Sequence, residues 1–241
     1  MKKYEITNET IVLPNNVILH RIKALKDFGD VKEGDLGGWI EKEENLSHEG
    51  DCWVYDYAKV YGNAKVCDNV NICDNAEICG NAKVYGEAYV CNDAKIGGNA
   101  CVCDYAKIYG NAWVYGNAKI CGNADVYGNV KVYDDARVCD NACVYGNAKV
   151  YGNVKVYDDA VVCGNADVYG NAEIYGNADV YDNVCVYGNA KAYRDAIICG
   201  NAEVFGNACV YDYAKVYGNV RVYGDAEIFD NVKVSEGEIY Y

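Results

Sequence analysis

From Val54 to Val234 the chain repeats a six-residue pattern of apolar and polar positions with no insertion. Every sixth residue from Val54 is Val or Ile, except Ala192, and every sixth residue from Ala58 to Val232 is Ala or Val. The unit Ala148-Lys149-Val150-Tyr151-Gly152-Asn153 shows the logic. Side chains of an extended segment alternate, so Ala and Val face one way while Lys and Tyr face the other. Gly152 and Asn153 then turn the chain, because both residue types tolerate positive φ and tight bends. A helix does not fit. A spacing of six walks round a 3.6-residue turn and leaves no single apolar face, whereas Val and Tyr favour strands.

Short strands joined by corners predict a solenoid whose coils stack parallel and in register. The fold class is all-β: a single-stranded parallel β-helix, a triangular prism with three hexapeptides per coil. Ala suits the narrow corner, and Val or Ile fills the middle of each face. Repeat lengths of 12 and 18 are not separated by the variable columns. Three faces are chosen because two would leave a thin core. The pattern carries no hand. About 180 residues give roughly ten coils, a rod about 50 Å long at ~4.8 Å per coil.

Residues 1–51 lack the repeat and are expected to form a small N-terminal cap, with the solenoid over 52–241. Thr10–Leu13 and Val17–Leu25 flank Pro14-Asn15-Asn16 and read as two strands around a turn. The first coil needs a cover for its open edge and apolar end, and Trp39 is the candidate plug. Leu46 to Asp51 reads as a degenerate hexad, with Leu46 in the small-residue column, His48 in the Val column facing inward, and Gly50-Asp51 at the corner. At the far end Glu238 stands where a small apolar residue is due; either Glu236 and Glu238 guard the end by charge, or, as favoured here, Ile239, Tyr240 and Tyr241 fold over the last coil as a partial plug.

The net charge of −14 argues against a phosphate-binding surface, since nucleic-acid affinity rests on basic contacts. It leaves room for an acidic mimic of DNA that acts on a host protein. There are 14 cysteines, and most stand in the two outward columns, as at Cys67, Cys73, Cys79, Cys91, Cys163 and Cys199. No secretory h-region follows Met1-Lys2-Lys3-Tyr4-Glu5, and no stretch is long enough to span a membrane. Many outward thiols without an export signal predict a reducing, cytoplasmic setting.

Asp27-Phe28-Gly29-Asp30-Val31-Lys32, Gly37-Gly38-Trp39, Leu46-Ser47 and Gly50-Asp51-Cys52-Trp53-Val54-Tyr55-Asp56, followed by the hexads, resemble the start of a group of bacterial and prophage hexapeptide-repeat proteins. These often carry an acyltransferase label without a known reaction. The resemblance covers the cap and nearly all the chain, and it implies a left-handed β-helix. It supplies no catalytic residue.

Hexapeptide acyltransferases typically use a histidine base to activate an acceptor. This chain has two histidines, His20 and His48, both ahead of the regular coils, and no loop interrupts the hexads. Hexapeptide carbonic anhydrases need several histidines round a metal. No catalytic residue and no cofactor are therefore expected. Cys101, Cys103, Cys121 and Cys139 are the candidate metal set, since four thiols can hold Zn²⁺. Rungs ~4.8 Å apart that project in parallel suit a ladder better than a tetrahedron, so no metal is expected.

The outward aromatics are the most informative surface feature. At a spacing of 18, Tyr115, Tyr133, Tyr151, Tyr169, Tyr187, Phe205 and Tyr223 fall in one line, the candidate binding face. Tyr157, Tyr175, Tyr193, Tyr211 and Phe229 form a second. Like aromatics stacked along a parallel sheet stabilise it, and a flat aromatic face also suits a partner, another copy or a sugar ring. Asn147, Asn153, Asn165 and Asn171 are expected to form amide ladders. The outward Lys column turns acidic at Asp167, Glu173 and Asp179, a dipolar rod that would associate antiparallel. Ranks of Thr, the mark of an ice-binding surface, are absent. The reading is a non-enzymatic, rigid structural or binding rod, self-associating through a flat face, with no nucleic-acid or membrane partner. An acyltransferase using acetyl-CoA is the alternative.

Overall fold

The structure, a computed structural model, describes residues 2–241. It is an all-β parallel solenoid of about 11 turns, consistent with a left-handed β-helix. The hexads pair at an offset of 18: Lys131 lies opposite Lys149, and Lys149 opposite Asp167. Three hexapeptides per coil follow directly. Each coil donates to the next, as from the Lys149 N–H to the Ala166 carbonyl at 2.9 Å and from the Tyr151 N–H to the Val168 carbonyl at 3.0 Å. The Ala and Val columns are inaccessible to solvent from Ala58 to Ala226. One continuous core therefore runs the length of the rod. Among the described residues no helix is long and apolar enough to cross a membrane.

The corners show why Gly alternates with Asp. Gly170 sits at φ 76° and Asp158 at φ 59°. This left-handed region favours Gly, and Asp enters it when its short side chain finds a local hydrogen bond. That bond comes from the next coil: the Gly176 N–H donates to Asp158 Oδ2 at 3.0 Å, and the Gly200 N–H to Asp182 Oδ2 at 3.0 Å. At the neighbouring position the amide ladders form as expected, with Asn147 donating to Asn165 at 3.0 Å and Asn153 to Asn171 at 3.1 Å.

The N-terminal hairpin forms as expected, with β1 (Tyr4–Val12) antiparallel to β2 (Ile18–Ala24). Strand β3 (Leu36–Ile40) pairs with β2 on one side and runs parallel to Lys59–Val60 on the other. The solenoid thus gains an irregular first turn, which accounts for about 11 turns where ten were expected. Three expectations for this turn are corrected. Trp39 lies opposite Lys59, an outward position, where the Arg21 guanidinium covers it at 5.6 Å. Ile40 points into the prism in its place. Leu46 bridges to Val66, so it fills the Val column, and His48 does not point inward. The cause is an offset of 20 in this turn instead of 18, absorbed before Gly50, which stacks on Asp68 at the corner as read. Gly37 and Gly38 cross closely over the first coil: a Cβ on Gly38 would stand 2.6 Å from the Ala58 carbonyl oxygen.

The expected C-terminal plug is also corrected. Lys233–Tyr240 continues as a strand alongside Lys215–Tyr223, with a one-residue register shift that places Ile239 opposite Val222. Val232 is 48% exposed, so these residues do not fold over the last coil.

Candidate functional site

An outward face has three ingredients: the column before each Val, the column after it, and the corners. Sorting these by face defines the surfaces available for chemistry. The first face carries the strands in register with Lys107–Gly110, the second those with Lys59–Val60, and the third those with Lys65–Val66.

On the second face Tyr133, Tyr151, Tyr169, Tyr187, Phe205 and Tyr223 stack at centroid spacings of 4.8, 5.2, 4.8, 4.8 and 5.0 Å, and Tyr240 extends the column at 5.2 Å. The spacing follows from the rise between strands, which holds like rings face to face. The third face carries the second expected line, from Tyr157 to Phe229, at 4.9 to 5.3 Å. A third ladder, Tyr109, Tyr127 and Tyr145, runs on the first face at 4.8 and 5.0 Å. Its sequence signal is the same spacing of 18. Burial pushes the Tyr151 and Tyr157 phenols up to about 12.

Tyr115 departs from the expected line. Gly97, the glycine of the Tyr column, leaves a hole beneath it, and a Cβ there would lie 2.4 Å from Tyr115 Cε1. The Tyr115 ring tips into this hole and stands tilted at 52° to Trp113, off the Tyr133 stack. A cleft of about 310 Å³ opens at the break, lined by Trp113, Tyr115, Gly116, Lys131, Tyr133 and Asp134. The Lys95 and Lys131 ammonium groups lie over the Trp113 ring at 5.7 and 5.4 Å. Another cleft, on the third face, opens where Cys139 gives way to Tyr157. Such concavities form where a column of like side chains is interrupted.

Charge separates the faces. The second face carries Lys95, Lys131, Lys149, Asp167, Glu203 and Arg221 in its outward column. The first face, from Asp125 to Cys199, carries no Lys, Arg or Glu in its two strand columns. Cys143, Val161 and Ile197 stand where Lys is usual, and Asp125 and Asp179 are its carboxylates. Burial pushes the Asp179 carboxyl up. The Lys-to-acid switch along the chain thus mixes three faces, and the dipolar reading holds best on the second.

The thiols are less accessible than their outward columns suggested. All 14 are free, and each is buried or half-buried. Of the candidate metal set, Cys103 and Cys121 come together with Asp104, their ligand atoms all within 4.8 Å of one another. Cys101 turns aside to the Tyr85 hydroxyl at 3.6 Å. Cys139 occupies the next rung above Cys121. Cys73, Asp74 and Cys91 form a second such group, on the first face, that was not singled out. Its signal is a Cys-Asp pair followed by Cys at a spacing of 18.

His48 has a structural environment. Its Nε2 lies 2.6 Å from Glu43 Oε1, its Nδ1 accepts the Lys3 N–H at 3.2 Å, and its ring stacks on Tyr4 at 4.3 Å. Both nitrogens are engaged within the cap. The paired Lys2 and His48 hold the Glu43 carboxyl below the usual carboxylate range.

These features define a parallel β-solenoid with ladder-built faces. No protein-family model matches the chain. Over 63 residues the chain is 41% identical to the "Uncharacterized acetyltransferase YdcK" of Escherichia coli (strain K12), a match covering 23% of this chain and 19% of that protein. The chain thus spans about a fifth of the length of the curated relative it matches. Fold and partial likeness together fit acyltransferase-like hexapeptide-repeat proteins.

Proposed function

We propose that the protein is a rigid, non-enzymatic scaffold that pairs with a second copy through its first face and displays the second face, with the cleft at Trp113, to a further partner. The observation that carries this reading is the stretch of the first face from Asp125 to Cys199, which lacks Lys, Arg and Glu in its strand columns and holds two carboxylates, Asp125 and Asp179. Its outward rank alternates large and small: Tyr145, Cys163, Tyr181, Cys199, Tyr217. An antiparallel copy centred between Cys163 and Tyr181 seats ring over thiol within this stretch, with Tyr145 against Cys199 of its mate and Cys163 against Tyr181. Such a contact is self-complementary, as a two-fold interface requires. The stretch spans five rungs, about 24 Å at ~4.8 Å each, and at about 15 Å wide it offers on the order of 360 Å², well below the ~800 Å² per partner of stable complexes, so the pairing is expected to be weak and concentration-dependent.

Sedimentation of the native chain beside Val161→Lys and Ile197→Lys tests this. Each variant places a bulky cation in the middle of this face, on a rung adjoining Asp179, and the dimer is expected to dissociate. A native chain that stays monomeric at high concentration removes the reading. Dissociation by Tyr169→Lys, with the other two silent, moves the interface to the second face.

The partial likeness to an acetyltransferase supports a second reading, transfer of an acyl group from acetyl-CoA. Ligand that binds the folded state raises the melting temperature by mass action. No shift at millimolar acetyl-CoA counts against it.

A further inference from the structure

The geometry points to two binding sites for a soft, two-coordinate metal ion such as Cu(I), one bridging Cys73 and Cys91 and one bridging Cys103 and Cys121. The two pairs lie on different faces and share one construction. A Cys at the outward position is followed by the corner Asp, and a second Cys stands one coil above. In each group the two Sγ atoms and a carboxylate oxygen lie within 4.8 Å of one another. Cys91 and Cys103 are 6% and 3% exposed, so one sulfur of each pair is shielded by the ladder.

The spacing selects the coordination. Neighbouring strands hold side chains ~4.8 Å apart. A disulfide needs Cβ atoms at about 3.8 Å, so the rungs do not close on each other without backbone movement. A tetrahedral ion needs four donors, whereas each group offers two sulfurs and one carboxylate already engaged by backbone N–H groups. An ion held linearly between two thiolates needs about twice the bond length, ~4.6 Å, which the ladder supplies with only side-chain adjustment. Soft thiolate donors select Cu(I). The carboxylates are committed elsewhere: Asp104 Oδ2 accepts the Gly122 N–H at 3.0 Å, and Asp74 Oδ2 accepts the Asn92 N–H at 3.0 Å and its side-chain amide at 2.8 Å. They contribute negative charge beside the ion while the sulfurs bind it. Each thiol gives its proton to solvent as the ion enters.

Cys139 makes the proposal sharp. It stands one rung above Cys121, so Cys121 has a thiol on either side, while Cys103 and Cys139 are two rungs apart and cannot share an ion. The test is anaerobic titration of the reduced chain with Cu(I) alone against a competing chromophoric chelator. The native chain is expected to hold two ions that the chelator does not remove. Cys103→Ser keeps both, because Cys139 replaces the lost sulfur. Cys121→Ser loses one, and Cys73→Ser loses the other. Cys185→Ser with Cys209→Ser, which removes thiols without a cysteine on the next rung, leaves two. Should Cys121→Ser unfold, Cys121→Tyr introduces the residue that follows in the same column at Tyr157 and is expected to lose the same ion. Retention of both ions by a folded Cys121 variant, or an X-ray absorption spectrum showing three or four sulfurs per ion, overturns the proposal.

Discussion

Truncating ladder rings one at a time separates stacking from ordinary burial. Tyr169 lies between Tyr151 at 5.2 Å and Tyr187 at 4.8 Å. Tyr133 has one stacked neighbour, Tyr151, at 4.8 Å, because Tyr115 has tipped away. Tyr85 occupies the corresponding outward position on the third face with Cys67 and Cys103 on the adjoining rungs, so no ring lies against it there, and Tyr85→Phe sets aside its hydroxyl contact with Cys101. Each aromatic pair is worth about 0.5–1.5 kcal/mol beyond its area. Relative to Tyr85→Ala, Tyr133→Ala is expected to cost about 0.5–1.5 kcal/mol more and Tyr169→Ala about 1–3 kcal/mol more. Urea unfolding followed by far-UV circular dichroism reads the differences. The double variant of Tyr151 and Tyr169 should show a coupling of about 0.5–1.5 kcal/mol. Equal costs at the three positions, or no coupling, would refute stacking as the source of stability.

Gly97→Tyr should push the Tyr115 ring back onto Tyr133 and close the cleft at Trp113; a crystal structure with Tyr115 still tipped contradicts this. Gly170→Ala should cost about 1–2 kcal/mol, since it places a Cβ at positive φ, 3.0 Å from the Gly188 nitrogen. Gly170→Asp should cost less, because its carboxylate gains the Gly188 N–H as Asp158 gains that of Gly176; thermal melts rank the two. The Tyr151 and Tyr157 phenols are raised to about 12 in the fold and return to about 10 in the unfolded chain. Stability from them is full below about pH 10 and is lost as pH climbs toward 12. Alkaline titration should therefore show tyrosinate absorbance rising together with loss of strand signal.

The solenoid was legible because two columns, inward Val and corner-facing Ala, repeat without a break, and a prism with a shared core tolerates no other register. Lines at a spacing of 18 likewise placed the ladders from Tyr133 and Tyr157. The cap was less legible. Its first turn is two residues longer, which moved Leu46 into the Val column and His48 out of it, and no local residue signals an offset absorbed at a loop. Tyr115 was misplaced because the column reports which residues are neighbours, while the ring followed the space that Gly97 leaves below. The cation-free stretch of the first face was hidden by reading the Lys column along the chain. Val161 and Ile197 are separated by 36 residues and become neighbours two rungs apart only once the three faces are sorted.

The native thiols offer the most direct test of face-to-face pairing. Cys143 and Cys163 lie on the first face, Cys185 on the second and Cys209 on the third. Residue-resolved alkylation across a dilution series should find Cys143 and Cys163 protected at high concentration and reactive on dilution, with Cys185 and Cys209 unchanged. Protection of Cys185 instead, or rates independent of concentration at all four, would contradict a pairing through the first face.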